Sequence, residues 1–144
     1  MDIVLYVLER YPLGDLRATR RYRLSGAALV FVGQLLAKHC EDTRLYLQPD
    51  LTLAQLSAAI GVNHYYLSQY FASQDTSYYA YIHDLRVRHF IARYLELAAA
   101  HKPIVAQQLA QESGYHSYST FSTAFKQRMH KSVAAWMREE ASKL

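Results

Sequence analysis

Cysteine occurs once in the 144 residues, at Cys40. No disulfide can therefore close within the chain, which fits a reducing compartment. Glycine (5) and proline (3) are scarce too, and so is strict apolar/polar alternation. Those shortages argue against strands joined by tight turns. Long apolar runs are also missing. The best, "LSGAALVFVGQLLA" at 24–37, falls short of the roughly twenty residues a bilayer span needs, and it carries Ser25, Gly26 and Gln34. The opening "MDIVLYVLERY" has no basic n-region and no cleavage site, so it does not read as a signal peptide. A cytoplasmic chain is the expectation. Charged residues make up 19% against 51% hydrophobic, a globular rather than disordered composition. The net charge of +4 permits an anionic partner without requiring one, and it is unevenly spread: Arg17, Arg20, Arg21 and Arg23 crowd into "RATRRYR". By contrast "VNHYYLSQYF", 62–71, holds no lysine or arginine at all.

What is present is helical punctuation. Ser25 and Gly26 open a helix carrying Leu29, Val32, Leu35 and Leu36 and ending near Glu41. Thr52 and Gln55 form a capping box before Leu53 and Leu56. That helix stops at Gly61, which suits the left-handed position past a helix end. Asn63 caps the next helix, to about Gln74, and an unbroken helix runs from about Ser77 to Ala99. Pro103 opens another at its favoured first-turn position, ending at Gly114. Ser117 caps a sixth helix to about Met129, and Ser132 a last one bearing Trp136. The fold class is all-α, with about seven helices in the core.

The chain also repeats itself. Leu56, Gly61, Leu67 and Phe71 answer to Leu109, Gly114, Phe121 and Phe125, at an offset of 53 residues up to the glycine and 54 beyond it. Each copy is a helix, a turn at glycine and a second helix, the helix-turn-helix pattern. The expected organisation is an N-terminal segment at 1–24, a first helix-turn-helix subdomain at 25–76, a linker helix at 77–100 and a second subdomain at 101–144.

At these residues the sequence resembles the DNA-binding domain of AraC/XylS-type transcription regulators. The likeness runs through "LTLAQLSAAIGVNHYYLSQYF", through "YYAYIHDLRVRHF" with Tyr81, Ile82 and Arg86, and through "QQLAQESGYHSYSTFSTAFKQRM". It covers roughly residues 26–139. Phe90 stands where the family usually has alanine, and His130 and Val133 replace the usual glycine and proline, so local packing and turn geometry should differ. Residues 21–53 are also similar to what precedes this domain in membrane-anchored regulators of the same type. There "RATRRYR" would lie just inside the membrane, and this chain would be the cytoplasmic portion or a stand-alone relative.

A helical wheel sorts the faces. Around Leu67, Asn63, Phe71 and Gln74 cluster within about 40°, while Tyr65, Ser68, Gln69 and Ala72 oppose them. Tyr66 and Tyr70 flank the buried side and read as core filler. Around Phe121 and Phe125, Ser119, Ser122, Thr123 and Lys126 turn outward, with Tyr118 near the edge. The resemblance implies that such outward positions face the major groove. Its candidate base readers are therefore Tyr65, Ser68, Gln69, Tyr118, Ser119, Ser122 and Thr123. Candidate phosphate contacts are Asn63, His64 and Ser117 at helix N-termini, with Arg86, Arg88, Lys126, Arg128 and Lys131. Each is equally an ordinary solvated side chain, and Arg86 equally a structural tie between helices. Glutamine at 69 suits the adenine edge, and the methyl of Thr123 a thymine methyl, so A·T pairs are expected there.

The functional expectation is a sequence-specific DNA-binding transcription regulator, or the DNA-binding domain of one, reading two adjacent major-groove segments. The alternative is a helical protein-interaction module of the same fold with weak or lost DNA binding. Double-stranded DNA is the expected partner. RNA polymerase, and a sensor domain or second chain supplying the signal, are further partners in that reading, with the chain a monomer or weak dimer. No enzyme is expected, because no P-loop, G-x-S-x-G or paired-carboxylate pattern occurs. No cofactor or metal is expected either: His39 and Cys40 are adjacent, and His83 and His89 are six apart, so neither pair converges on one helix face.

Overall fold

The computed structural model describes residues 24–144. Expectations for the N-terminal segment, the "RATRRYR" cluster and the missing signal peptide lie outside those residues. Seven α-helices and no strand occur among the described residues, so the fold is all-α. They are α1 (Gly26–Leu36), α2 (Leu53–Ile60), α3 (His64–Ser73), α4 (Tyr78–Ala99), α5 (Ala106–Glu112), α6 (Tyr118–Met129) and α7 (Val133–Ser142). A π-helical turn, Ala37–Glu41, prolongs α1, and a 3₁₀ turn spans Leu45–Leu47.

The described chain divides into two compact units. One takes the described residues up to Tyr46 together with Asp50–Tyr81, and the other takes Leu47–Pro49 and Ile82–Leu144. Helix α4 therefore gives its first residues to the first unit and the rest to the second.

In the first unit, Ala28, Val32, Leu36 and Cys40 recur every fourth residue and form one buried stripe. Leu56 and Ile60 of α2 and Tyr66, Leu67 and Phe71 of α3 are buried with it. Removing each large side chain from water contributes about 1.5–3 kcal/mol. Helix α2 opens on the expected capping box: Gln55 N–H donates to Thr52 Oγ1 (3.1 Å), and Thr52 N–H donates to Gln55 Oε1 (3.0 Å). Two tyrosines close the unit. Tyr78 donates its hydroxyl to the Leu51 carbonyl (2.6 Å), and Tyr81 donates to the Glu41 carboxylate (2.7 Å). Burial, and then that hydrogen bond, raise the Tyr81 pKa far above the phenolic range.

In the second unit the core is aromatic. Phe90 is fully buried, with ring centroids of Phe121 at 4.5 Å, Phe125 at 5.9 Å and Trp136 at 6.4 Å. A large residue on α4 thus fills space that an alanine would leave to its neighbours. Helix α5 begins at Ala106, three residues later than Pro103 would have it. The reason lies in how α4 ends. His101 takes the left-handed conformation (φ 55°) and donates its N–H to Ala98 O, while Lys102 N–H reaches back to Leu97 O (2.9 Å). This is a Schellman exit, and Pro103 follows it as a helix stop rather than opening the next helix.

Candidate nucleic-acid interface

Both turns that precede a candidate reading helix use glycine at positive φ, 75° at Gly61 and 99° at Gly114. In each case N–H groups of the turn return to carbonyls at the end of the previous helix. Gly61 and Val62 N–H both reach Ser57 O, while Tyr115 N–H reaches Ala110 O and Gly114 N–H reaches Gln111 O. The two glycines sit in different surroundings. A Cβ on Gly61 would meet nothing within 4 Å, whereas one on Gly114 would lie 2.9 Å from Arg86 Nε and 3.2 Å from the Leu47 carbonyl oxygen.

Helix α3 starts at Asn63, whose side chain accepts from Tyr65 N–H (2.8 Å). Tyr66, Leu67 and Phe71 are buried, His64 and Ser68 are exposed, and Tyr65 and Gln69 are half-buried. The Tyr65 ring stands edge-on to Tyr66, with centroids 5.9 Å apart. Tyr70 is half-buried. Helix α6 starts at Ser117, which accepts from Thr120 N–H (3.3 Å). Phe121, Ala124 and Phe125 face the core, Tyr118, Ser119, Thr123 and Lys126 are exposed, and Ser122 is half-buried. Tyr118 leans on Phe121 at 5.6 Å while 38% of its surface stays open.

The cations separate by surroundings. Lys126 makes no hydrogen bond or ion pair with any described residue, and it lies one turn beyond Ser122 and Thr123 on α6. Arg88 is exposed but paired with Asp84 (2.7 Å) along α4. Lys131 pairs with Glu139, and that hydrogen bond lowers the Glu139 pKa. Arg128 is half-buried and folds back to donate to Ala124 O on its own helix (3.2 Å). Arg86 is only 6% exposed. Its Nη2 donates to Gln48 O (2.7 Å), and its guanidinium carbon lies 5.5 Å from the centre of the Tyr115 ring. Of the two roles open to Arg86, this geometry is the structural tie. Its guanidinium is taken up by a carbonyl and a ring inside the unit and is largely closed to solvent.

One buried pair has no counterpart among the expectations from sequence. His83 Nδ1 lies 2.6 Å from the Tyr115 hydroxyl, with the two rings stacked at 5.4 Å. Burial, then the charges of Arg128 and Arg86, lower the His83 pKa to about 4, so the imidazole is neutral at pH 7. A signal existed: a tyrosine at a buried turn needs a partner for its hydroxyl. Its partner is 32 residues away, beyond the reach of any local pattern.

These features form two helix-turn-helix units, each with an apolar stripe inward and a polar stripe outward on its second helix. The sequence model of a family described as "Helix-turn-helix domain" matches residues 39–139. The chain belongs to that family, in its AraC/XylS-type form, and so carries the DNA-binding domain of a transcription regulator, which is not an enzyme family. No curated protein and no solved structure matches the chain. Among the described residues no helix is long and apolar enough to cross a membrane.

Proposed function

We propose that the protein regulates transcription by binding a specific double-stranded DNA sequence, with α3 and α6 reading two adjacent major-groove segments. The exposure pattern of α6 carries this reading. Ser119 and Thr123 stand open on one face with Tyr118 exposed at its edge, and Phe121 and Phe125 anchor the other. Hydroxyls and methyls there are suited to base edges, and Lys126, one turn on, to a phosphate. Ser122 flanks the same face. In the first unit Ser68, Gln69 and Tyr65 take the corresponding roles, with Gln69 directed to adenine. Phosphates are met by backbone N–H groups after Asn63 and Ser117, by His64, and by Arg88 and Lys131 once their carboxylate partners yield. Residues 25–76 and 101–144 act as the two reading modules and 77–100 as their link.

The likeness to regulators supports further partners: RNA polymerase, and a sensor domain or second chain that supplies the signal. One chain presents two unlike reading helices, so a monomer or weak dimer can occupy a site of two unlike halves.

Randomised-site selection with footprinting at two salt concentrations tests this. The expected result is two A·T-leaning half-sites about 10 base pairs apart, with affinity falling steeply as salt rises. An enriched site of one half only would remove the two-segment reading, and no enrichment would remove specificity. The alternative, an interaction module with weak DNA binding, draws support from the absence of lysine and arginine on α3. It predicts weak binding with little salt dependence.

A further inference from the structure

We propose that the buried His83–Tyr115 hydrogen bond, backed by Arg86, is a positioning device that sets the orientation of α6 and thereby its base specificity, without touching DNA. The inference rests on the reading of α6 as a base-reading helix. Tyr115 lies in the turn between α5 and α6, two residues before the cap at Ser117. Whatever fixes Tyr115 fixes the point from which α6 departs.

Three contacts do so. The hydroxyl end meets His83 on α4, the ring face lies near the Arg86 guanidinium, and the ring meets Phe121 of α6 in a T-shaped contact at 5.3 Å. Arg86 is itself held by the Gln48 carbonyl, and its side chain occupies the space a Cβ on Gly114 would need. The turn is therefore tied to α4 by a directional hydrogen bond as well as by packing.

The distinction matters because burial of apolar surface has no preferred direction. The aromatic contacts among Phe90, Phe121 and Phe125 bury α6 and favour edge-to-face arrangements, a shallower angular preference than that of a buried hydrogen bond. A side-chain tip about 6 Å from a helix axis moves by about 2 Å when the helix turns by about 20°. That is beyond the tolerance of a preorganised binding site. A hydrogen bond between two buried groups is directional and costly to leave unmade, so it selects one rotation. Phosphate attraction tolerates such movement far better, because it depends on charge at a distance.

Three variants, measured for stability and for affinity on the selected site and on unrelated DNA, test the idea. Tyr115→Phe removes the hydroxyl. The double variant Tyr115→Phe with His83→Leu replaces both partners by apolar groups, a change that is often nearly neutral for stability. His83→Asn keeps a polar atom near the place of Nδ1. The expected result is about a tenfold fall in the ratio of specific to non-specific affinity for Tyr115→Phe and for the double variant. Non-specific affinity and salt slope should be unchanged, and His83→Asn should keep most of the ratio. A double variant with wild-type specificity overturns the proposal, as does a His83→Asn protein that loses as much as Tyr115→Phe. If the double variant is too unstable to measure, Tyr115→Phe against His83→Asn decides alone. A wild-type protein that does not distinguish its selected site from unrelated DNA defeats the proposed function itself, and this proposal with it.

Discussion

The two helix-turn-helix units share a sequence pattern but are built on different physics. In the first, the described residues hold two cations, Lys38 and Arg44, against four acids, Glu41, Asp42, Asp50 and Asp75. Its turn glycine faces open space, and its reading helix has no charge. The second has nine lysines and arginines against five acids, an aromatic core and a turn glycine packed beneath a buried arginine. A repeat in sequence therefore specifies a repeat in local geometry and not one in energetics. The second unit thus carries an excess of positive charge suited to an anionic partner, and the described part of the first does not.

The sharpest way to separate the units is through their glycines. Gly114→Ala should cost about 3 kcal/mol, because positive φ is compounded by overpacking against Arg86 and a backbone oxygen. Gly61→Ala, with space around it, should cost about 1 kcal/mol. Denaturant unfolding checks both. The only tryptophan, Trp136, lies in the core of the second unit, so its fluorescence reports that unit. Equal costs would mean the turns are equivalent after all.

Acid should also act on the second unit. His83 has its pKa lowered to about 4 by burial and then by Arg128 and Arg86, against about 6.5 when unfolded. Below pH 6.5 the unfolded chain takes up a proton that the folded chain refuses. Stability from this group is therefore complete above pH 6.5, falls as pH drops toward 4 and is level below that. The full loss is on the order of 3 kcal/mol. Unfolding curves at pH 7 and pH 4.5 should converge in His83→Asn relative to wild type.

Base reading is next in size. Gln69→Ala in the first unit and Thr123→Ala in the second should each relax preference at one base pair, the glutamine change by about 1–3 kcal/mol. Site selection on the variants checks this, and guanine opposite Gln69 would contradict the A·T expectation. Lys126→Ala should weaken binding to all sequences alike and reduce the slope of log affinity against log salt by about 1. Arg128→Ala should lower the melting temperature instead, because that side chain is folded against its own helix. The smallest effect is a gain. His130 ends α6 in the left-handed conformation at φ 60°, so His130→Gly should stabilise the second unit by about 1 kcal/mol.

Much of this was legible from residue order, and the limits follow from range. Thr52 with Gln55, Asn63 and Ser117 announce helix starts through hydrogen bonds made within three residues. The 3.6-residue period then assigns Leu67, Phe71, Phe121 and Phe125 to the core, as found. The start of α5 was misplaced because His101 supplies a left-handed exit usually left to glycine, which leaves Pro103 outside the helix. For Arg86 the sequence left two roles open, phosphate contact and structural tie, and for Arg128 nothing in it signalled the return to the Ala124 carbonyl. A helical wheel locates a side chain's direction, but not whether a carbonyl 38 residues away waits for it.

The sequence by itself thus determined the all-α class, the tandem repeat, the family and the polar stripes on α3 and α6, because capping and periodicity are local. Only the tertiary structure decided which cations remain available, that Gly114 and Gly61 are unequal, and that Tyr115 is tied to His83. Those outcomes depend on groups brought together across tens of residues, where burial changes what a charge or hydroxyl costs. No local pattern carries that information.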